Sequence, residues 1–146
     1  MNPAGPVHED YIDFLTRWSV SSTEASECVV RVQSSIDLGD SRPEPDIAWL
    51  QPGRYSARRP RPADVLLIIE VADSSLSDDL GEKASLYAEF GITEYWVVDA
   101  PGRRIHVHRH SDRERYQDIT QFTAEQTIAP TCKSSATLVL SDLFAE

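Results

Sequence analysis

Lysine is almost missing from this sequence: of its 14 basic residues 12 are arginine, and only Lys83 and Lys133 are lysine. A positive surplus is missing too, because 24 Asp and Glu leave a net charge of −10, which disfavours a simple nucleic-acid coat. Long apolar runs are absent. The most apolar stretch, residues 65–69, falls far below the ~20 residues a spanning helix requires, and Glu9, Asp10 and Asp13 stand where a signal peptide would need its apolar segment. No membrane association and a cytoplasmic location are therefore expected. With only two cysteines, Cys28 and Cys132, there is no CxxC pair and no zinc pattern, and both are expected as reduced packing residues. Gly and Pro are too few, at 6 and 9, for a disordered or fibrous chain. A chain of 146 residues with 40% hydrophobic content is expected to form a single domain over residues 1–146.

What is present has a clear order. Tyr11, Phe14, Leu15 and Trp18 recur at helical spacing, predicting an amphipathic helix over residues 7–18. A β-rich run follows over 28–38, a turn over 39–43, and a strand over 46–50 that Pro52-Gly53 ends. Residues 54–62, dense in arginine and proline, read as a loop. Residues 65–71 are apolar without alternation, as in a strand covered on both faces. Ser74 to Ser77 offer helix-start residues, and 79–90 reads as a helix that Gly91 stops. Another apolar strand, 95–98, comes next. Strand, helix, strand implies a right-handed crossover between parallel strands. Pro101-Gly102 then turns into a strand over 104–109, with shorter strand-like runs at 116–122 and 136–140.

Glu70 ends the most apolar strand in the chain. A buried carboxylate requires a partner, a raised pKa or a metal. Asp46 starts the preceding strand, and if the two strands are neighbours their carboxylates converge on one sheet end as hard oxygen ligands for Mg²⁺ or Mn²⁺. The alternative is that Asp46 is a turn residue beside Pro45 and Glu70 pairs with an arginine. Asp79 and Lys83 are four apart on the predicted helix, with Tyr87 one turn on. An exposed ion pair would explain that spacing. A compact ammonium in an arginine-rich chain is also the residue that can sit against a water, as guanidinium cannot.

The ordered set Pro45-Asp46, Glu70-Val71-Ala72-Asp73-Ser74-Ser75, Asp79-Leu80-Gly81-Glu82-Lys83, Tyr87-Ala88 and Gly91-Ile92-Thr93-Glu94-Tyr95-Trp96-Val97-Val98-Asp99 resembles the Uma-type restriction endonucleases, a family of the PD-(D/E)xK nuclease superfamily. The resemblance runs from about Arg31 to Arg109. It implies an α/β, restriction-endonuclease-like core with a mixed β-sheet flanked by helices, and an N-terminal region shortened relative to the family. It also implies a Mg²⁺ (or Mn²⁺) site made by Asp46, Glu70 and the Val71 carbonyl, with Lys83 replacing the lysine usually carried two residues after the strand glutamate, where Ala72 stands here. The implied activity is metal-dependent hydrolysis of DNA phosphodiesters, with Asp46, Glu70 and Lys83 catalytic and Asp79 and Tyr87 supporting. A catalytically silent nuclease-fold module for binding or assembly, a hydrolase of another phosphate ester, and a homodimer stay open.

Nine of the 14 basic residues lie in two windows, Arg54, Arg58, Arg59 and Arg61 in one and Arg103, Arg104, Arg109, Arg113 and Arg115 in the other. Either could flank DNA, the first being the stronger candidate. His106, His108 and His110 alternate along a predicted strand, and a polar strand face is expected of them rather than a metal site.

Overall fold

The structure, a computed structural model, describes residues 5–145. Six strands form one sheet in simple chain order: β1 (Val29–Val32), β2 (Ile47–Leu50), β3 (Val65–Ala72), β4 (Glu94–Asp99), β5 (Arg104–Ser111) and β6 (Tyr116–Thr123). Only β3 and β4 run parallel, joined across one face by α2 (Leu76–Leu80) and α3 (Glu82–Glu89); every other neighbouring pair is antiparallel. The sheet is therefore mixed, with β3 and β4 at its centre. Beyond it lie a two-strand ribbon, β7 (Thr127–Ile128) with β8 (Leu138–Val139), and a last turn of helix, α4 (Leu140–Leu143).

Alternation along β3 explains its unbroken apolar run, since both of its faces are covered. Leu67, Ile69 and Val71 meet α1 (Pro6–Ser21) and α4, whereas Ile68 and Ala72 meet Ala84, Tyr87 and Ala88 of α3. On the α1 face, Trp18 stacks on Trp96 at 5.8 Å and tilts against Trp49 at 5.4 Å. Trp49 Nε1 donates to Ser19 Oγ at 2.9 Å, so the buried indole loses no hydrogen bond.

Several expected elements differ. The helix expected over 79–90 is two helices broken at Gly81, where an added Cβ would lie 2.9 Å from the Ser77 carbonyl oxygen. The β-rich run expected to reach residue 38 pairs only to Val32, because Gln33 takes a positive φ of 50° and turns the chain off the sheet. The strand expected over 136–140 keeps two residues before α4 begins. Cys28 is buried as expected, but Cys132 is exposed. The three histidines do not form one polar face either: His106 and His108 are buried, and His110, exposed at a φ of 60°, leaves the alternation. His108 lies against the rings of Tyr95 and Tyr116. No helix among the described residues is long and apolar enough to cross a membrane.

Candidate active site

Register alone brings the two candidate carboxylates together. Ile47 of β2 opposes Ile69 of β3, so the next residues, Asp46 and Glu70, face each other as the antiparallel pair runs out. The Asp46 N–H donates to Glu70 Oε1 at 2.8 Å, and the Val71 N–H donates to Asp46 Oδ2 at 2.8 Å. Each acid is thus anchored by the other's strand. Asp46 is no mere turn residue beside Pro45, and the partner of Glu70 is not an arginine.

Helix α3 supplies the cation. Lys83 Nζ stands 2.9 Å from Glu70 Oε2 and 3.1 Å from Asp79 Oδ1, with 41% of its side chain exposed. The break at Gly81 leaves the Asp79–Lys83 spacing usable. Ser75 Oγ donates to Asp79 Oδ2 at 2.9 Å, and Tyr95 Oη donates to the Asp79 backbone carbonyl at 2.9 Å. Tyr87 packs edge-on to Tyr95 at 5.0 Å, its hydroxyl buried without a hydrogen-bond partner among the described residues. Ser75 and Tyr95 lie within the motif segments quoted above, but nothing in those segments assigned either of them a supporting role.

The electrostatics follow from burial. Only 3% of Glu70 is exposed. Burial first and the neighbouring Asp46 charge second push its carboxyl up to about 7, against the pull of Lys83. Burial works to lower the Lys83 pKa, but Glu70 and then Asp79 outweigh it and raise the amine above its ordinary range. The Tyr87 hydroxyl is raised by burial, then by Glu70 and Asp79.

His8, which no motif singles out, also reaches the site. From the first turn of α1 its Nε2 stands 3.5 Å from Asp46 Oδ2, while its buried Nδ1 has no partner among the described residues. The only sequence signal was position, the start of a helix whose apolar stripe must lie on the sheet that carries Asp46.

Three carboxylates, Asp46, Glu70 and Asp79, face a single ammonium, a deficit that one divalent cation would neutralise. The donors are hard oxygens, the kind Mg²⁺ selects. Among the described residues no group of three or more His, Cys, Asp or Glu is placed to cage a metal. That is compatible with Mg²⁺, which is bound through one or two carboxylates with waters and substrate phosphates completing its shell. The residues therefore fit the ion.

The arginines divide. Arg109, expected beside DNA, instead lies on buried Glu94, with Nε at 3.0 Å and Nη2 at 2.9 Å from Oε2. Arg103 donates to the Phe144 carbonyl and Arg104 to Gln121 Oε1 at 3.2 Å, so most of the second window holds the fold together. In the first window Arg58 is tied to Asp64 at 2.8 Å, and Arg59 Nε donates to Ser35 Oγ at 2.8 Å. Arg54 and Arg61 lie on the same exposed loop, and among the described residues no side-chain partner brings them to the carboxylates.

The chain matches the family Uma2, "Putative restriction endonuclease", over residues 1–138. Among solved structures it is similar to one titled as a putative nuclease belonging to DUF820 from Anabaena variabilis, with a TM-score of 0.79 and 16% identity, covering 99% of this chain and 83% of that one. At that identity the likeness speaks for the fold. No curated protein matches.

Proposed function

The chain belongs to the Uma2 family, and from that premise we propose that it hydrolyses DNA phosphodiester bonds with a divalent metal, Mg²⁺ or Mn²⁺, held by Asp46, Glu70 and the Val71 carbonyl. The observation that carries this reading is the convergence of Asp46, Glu70 and Lys83 on one end of the sheet. When bound, the metal would polarise the scissile phosphate and lower the pKa of an attacking water. The chain's own contribution is preorganisation. Asp46 is fixed by the Val71 N–H and Glu70 by the Asp46 N–H, so neither carboxylate reorganises during reaction. Lys83, more exposed than either acid, is the donor able to meet charge developing on the phosphate oxygens. Asp79, held by Ser75, aims that ammonium. Tyr87 and Tyr95, both fully buried and packed edge-on, form the core beneath it.

Plasmid cleavage in Mg²⁺ or Mn²⁺ tests the assignment. Asp46→Ala, Glu70→Gln and Lys83→Ala should each lose activity, and sustained cleavage by all three would sink it. A second reading, a catalytically silent binding or assembly module, draws on Lys83 already occupying the outer oxygen of Glu70 at 2.9 Å. Clean wild type that neither cleaves nor binds Mn²⁺ by calorimetry would decide for that module.

A further inference from the structure

Beside the carboxylates, on the same face of the sheet, runs a polar groove of about 520 Å³ between the end of β1 and the loop of residues 55–59. Its relation to the site is set by register. Arg31 of β1 opposes Ala48 of β2, which opposes Ile68 of β3, and directly opposed residues share a face. Ala48 and Ile68 belong to the α3 side of the core, the side on which Lys83 meets Glu70. Two residues further along, where the chain leaves the sheet, the Gln33 N–H donates to the Asp46 carbonyl at 3.0 Å and the Asp46 N–H donates to Glu70 Oε1, so the turn after β1 is tied to the residue that holds Glu70. Arg31 and Gln33 line the groove. Its floor therefore begins two strands from Glu70, about 10 Å away at the usual strand spacing.

The far wall is built to be held in place. Tyr55 Oη donates to the Gln51 carbonyl at 2.6 Å, the Arg58 guanidinium lies 6.0 Å from the centre of the Tyr55 ring, and Arg58 is braced by Asp64 at 2.8 Å. The Asp37 N–H donates to the Pro60 carbonyl at 2.8 Å, tying the loop to the strand-side wall. Arg59 bridges the two walls through Nε, which donates to Ser35 Oγ at 2.8 Å, and among the described residues the other N–H groups of its guanidinium are left to donate to a second partner. Three guanidiniums thus converge with serine hydroxyls in a chain whose net charge is −10, and Glu44 is the one acid among the lining residues. Guanidinium and hydroxyl donors fixed on rigid walls suit phosphate oxygens, not an apolar ligand.

We infer that this groove holds the phosphodiester backbone of one DNA strand flanking the scissile bond, with Arg31 and Arg59 as its phosphate contacts. The inference rests on the nuclease reading above and gives that site its substrate path. Arg31 comes from a strand, outside both arginine-rich windows.

The test separates binding from cleavage. Anisotropy of a fluorescein-labelled duplex oligonucleotide, in EDTA so that no cleavage occurs, is measured from ~50 to 200 mM salt for wild type, Arg31→Ala, Arg59→Ala, Arg31→Lys and Arg17→Ala, with circular dichroism confirming the fold of each. Each alanine variant should bind about three- to tenfold more weakly and lower the slope of log K against log salt by about 0.9. Arg31→Lys, which keeps the charge, should restore most of the slope, and Arg17→Ala on α1 should change neither quantity. Folded Arg31→Ala and Arg59→Ala proteins that keep the wild-type affinity and slope would overturn the groove, whatever the wild type does to plasmid. Wild type that binds through the groove yet leaves plasmid intact in Mg²⁺ would support the groove and overturn the nuclease reading alone.

Discussion

Two glutamates are buried in this sheet, and their surroundings differ in kind. Glu94, fully buried at the start of β4 on the α1 face, receives five donors. Trp96 Nε1, Arg109 Nε and Arg109 Nη2 reach Oε2, while the Thr131 N–H and hydroxyl reach Oε1. Glu70, near the end of β3 on the opposite face, receives two: the Asp46 N–H and Lys83 Nζ. Glu94 is saturated by rigid groups and works as a clasp between β4, β5 and the segment around Thr131. Glu70 has spare lone pairs, a second carboxylate beside it and a half-exposed lysine as its one cationic partner among the described residues. A carboxylate with so few donors inside a core is costly for folding, and a bound divalent cation, as proposed above, would offset that cost.

The sharpest way to break the contrast is to neutralise each acid in turn. Glu70→Gln should cut Mg²⁺-dependent cleavage on the order of 10³-fold or more, because it removes a charged ligand from a preorganised site. Its urea midpoint should stay level or rise, since an under-partnered buried charge is gone. Glu94→Gln should do the reverse. It leaves Arg109 and Thr131 facing an amide with half the acceptors, at a cost of about 3 kcal/mol, while the protein that remains folded cleaves as wild type. A Glu70→Gln protein that melts like Glu94→Gln would erase the distinction.

Lys83→Ala is the next largest. Cleavage should fall about 10²- to 10³-fold through loss of a donor to the developing charge. Calorimetric Mn²⁺ affinity should hold or improve, because the ammonium no longer competes for Glu70 Oε2. Weaker Mn²⁺ binding would make Lys83 a mere brace for the carboxylates.

How much of this was legible beforehand divides along the same line. Glu70 stood out because an acid ends an apolar run, and Asp46 because it starts the preceding strand and meets Glu70 if the two strands are neighbours; the antiparallel register that makes them neighbours came from the fold. Glu94 lies in an equally apolar strand and gave no sign of its clasp, since Arg109 and Thr131 are 15 and 37 residues away and no local pattern encodes their meeting. Arg109 was accordingly read with its arginine neighbours as a surface residue. The same limit hid His8, whose contact with Asp46 depends on how α1 crosses the sheet. The split of α2 from α3 was missed because Gly81 adopts an irregular φ of −102° and ψ of −96°, which helix-start and helix-stop residues do not announce.

His8→Ala gives a smaller effect on the same site. Groups that orient a metal's ligands typically set 10- to 100-fold in affinity or activity. A loss of about tenfold in Mn²⁺ affinity is expected, with the melting midpoint nearly unchanged since His8 makes no other polar side-chain contact among the described residues. Unchanged Mn²⁺ affinity would reduce His8 to a packing residue.

The smallest expected effect asks whether the pH response of the fold comes from the carboxylates at all. His108 opposes Tyr95 on β5, with Nδ1 3.1 Å from the Tyr95 carbonyl oxygen and its ring against Tyr116. Burial lowers its pKa below the ordinary 6.5, in spite of backbone hydrogen bonds that work the other way. Between the unfolded and the folded value the unfolded chain therefore binds more protons than the folded one. The stabilisation is complete above 6.5 and is lost as pH falls through the folded pKa. Glu70 has the opposite sign: its carboxyl is raised from 4.5 to about 7, so the folded chain keeps that proton longer and stability declines as pH rises through this interval. Urea midpoints at pH 7.5 and 5.5 for wild type, His108→Gln and Glu70→Gln read the two terms apart. His108→Gln should lose less on acidification than wild type, and Glu70→Gln should lose more, because each removes one of two opposed contributions. Identical acid responses in all three proteins would mean that neither buried group titrates within this range in the folded chain.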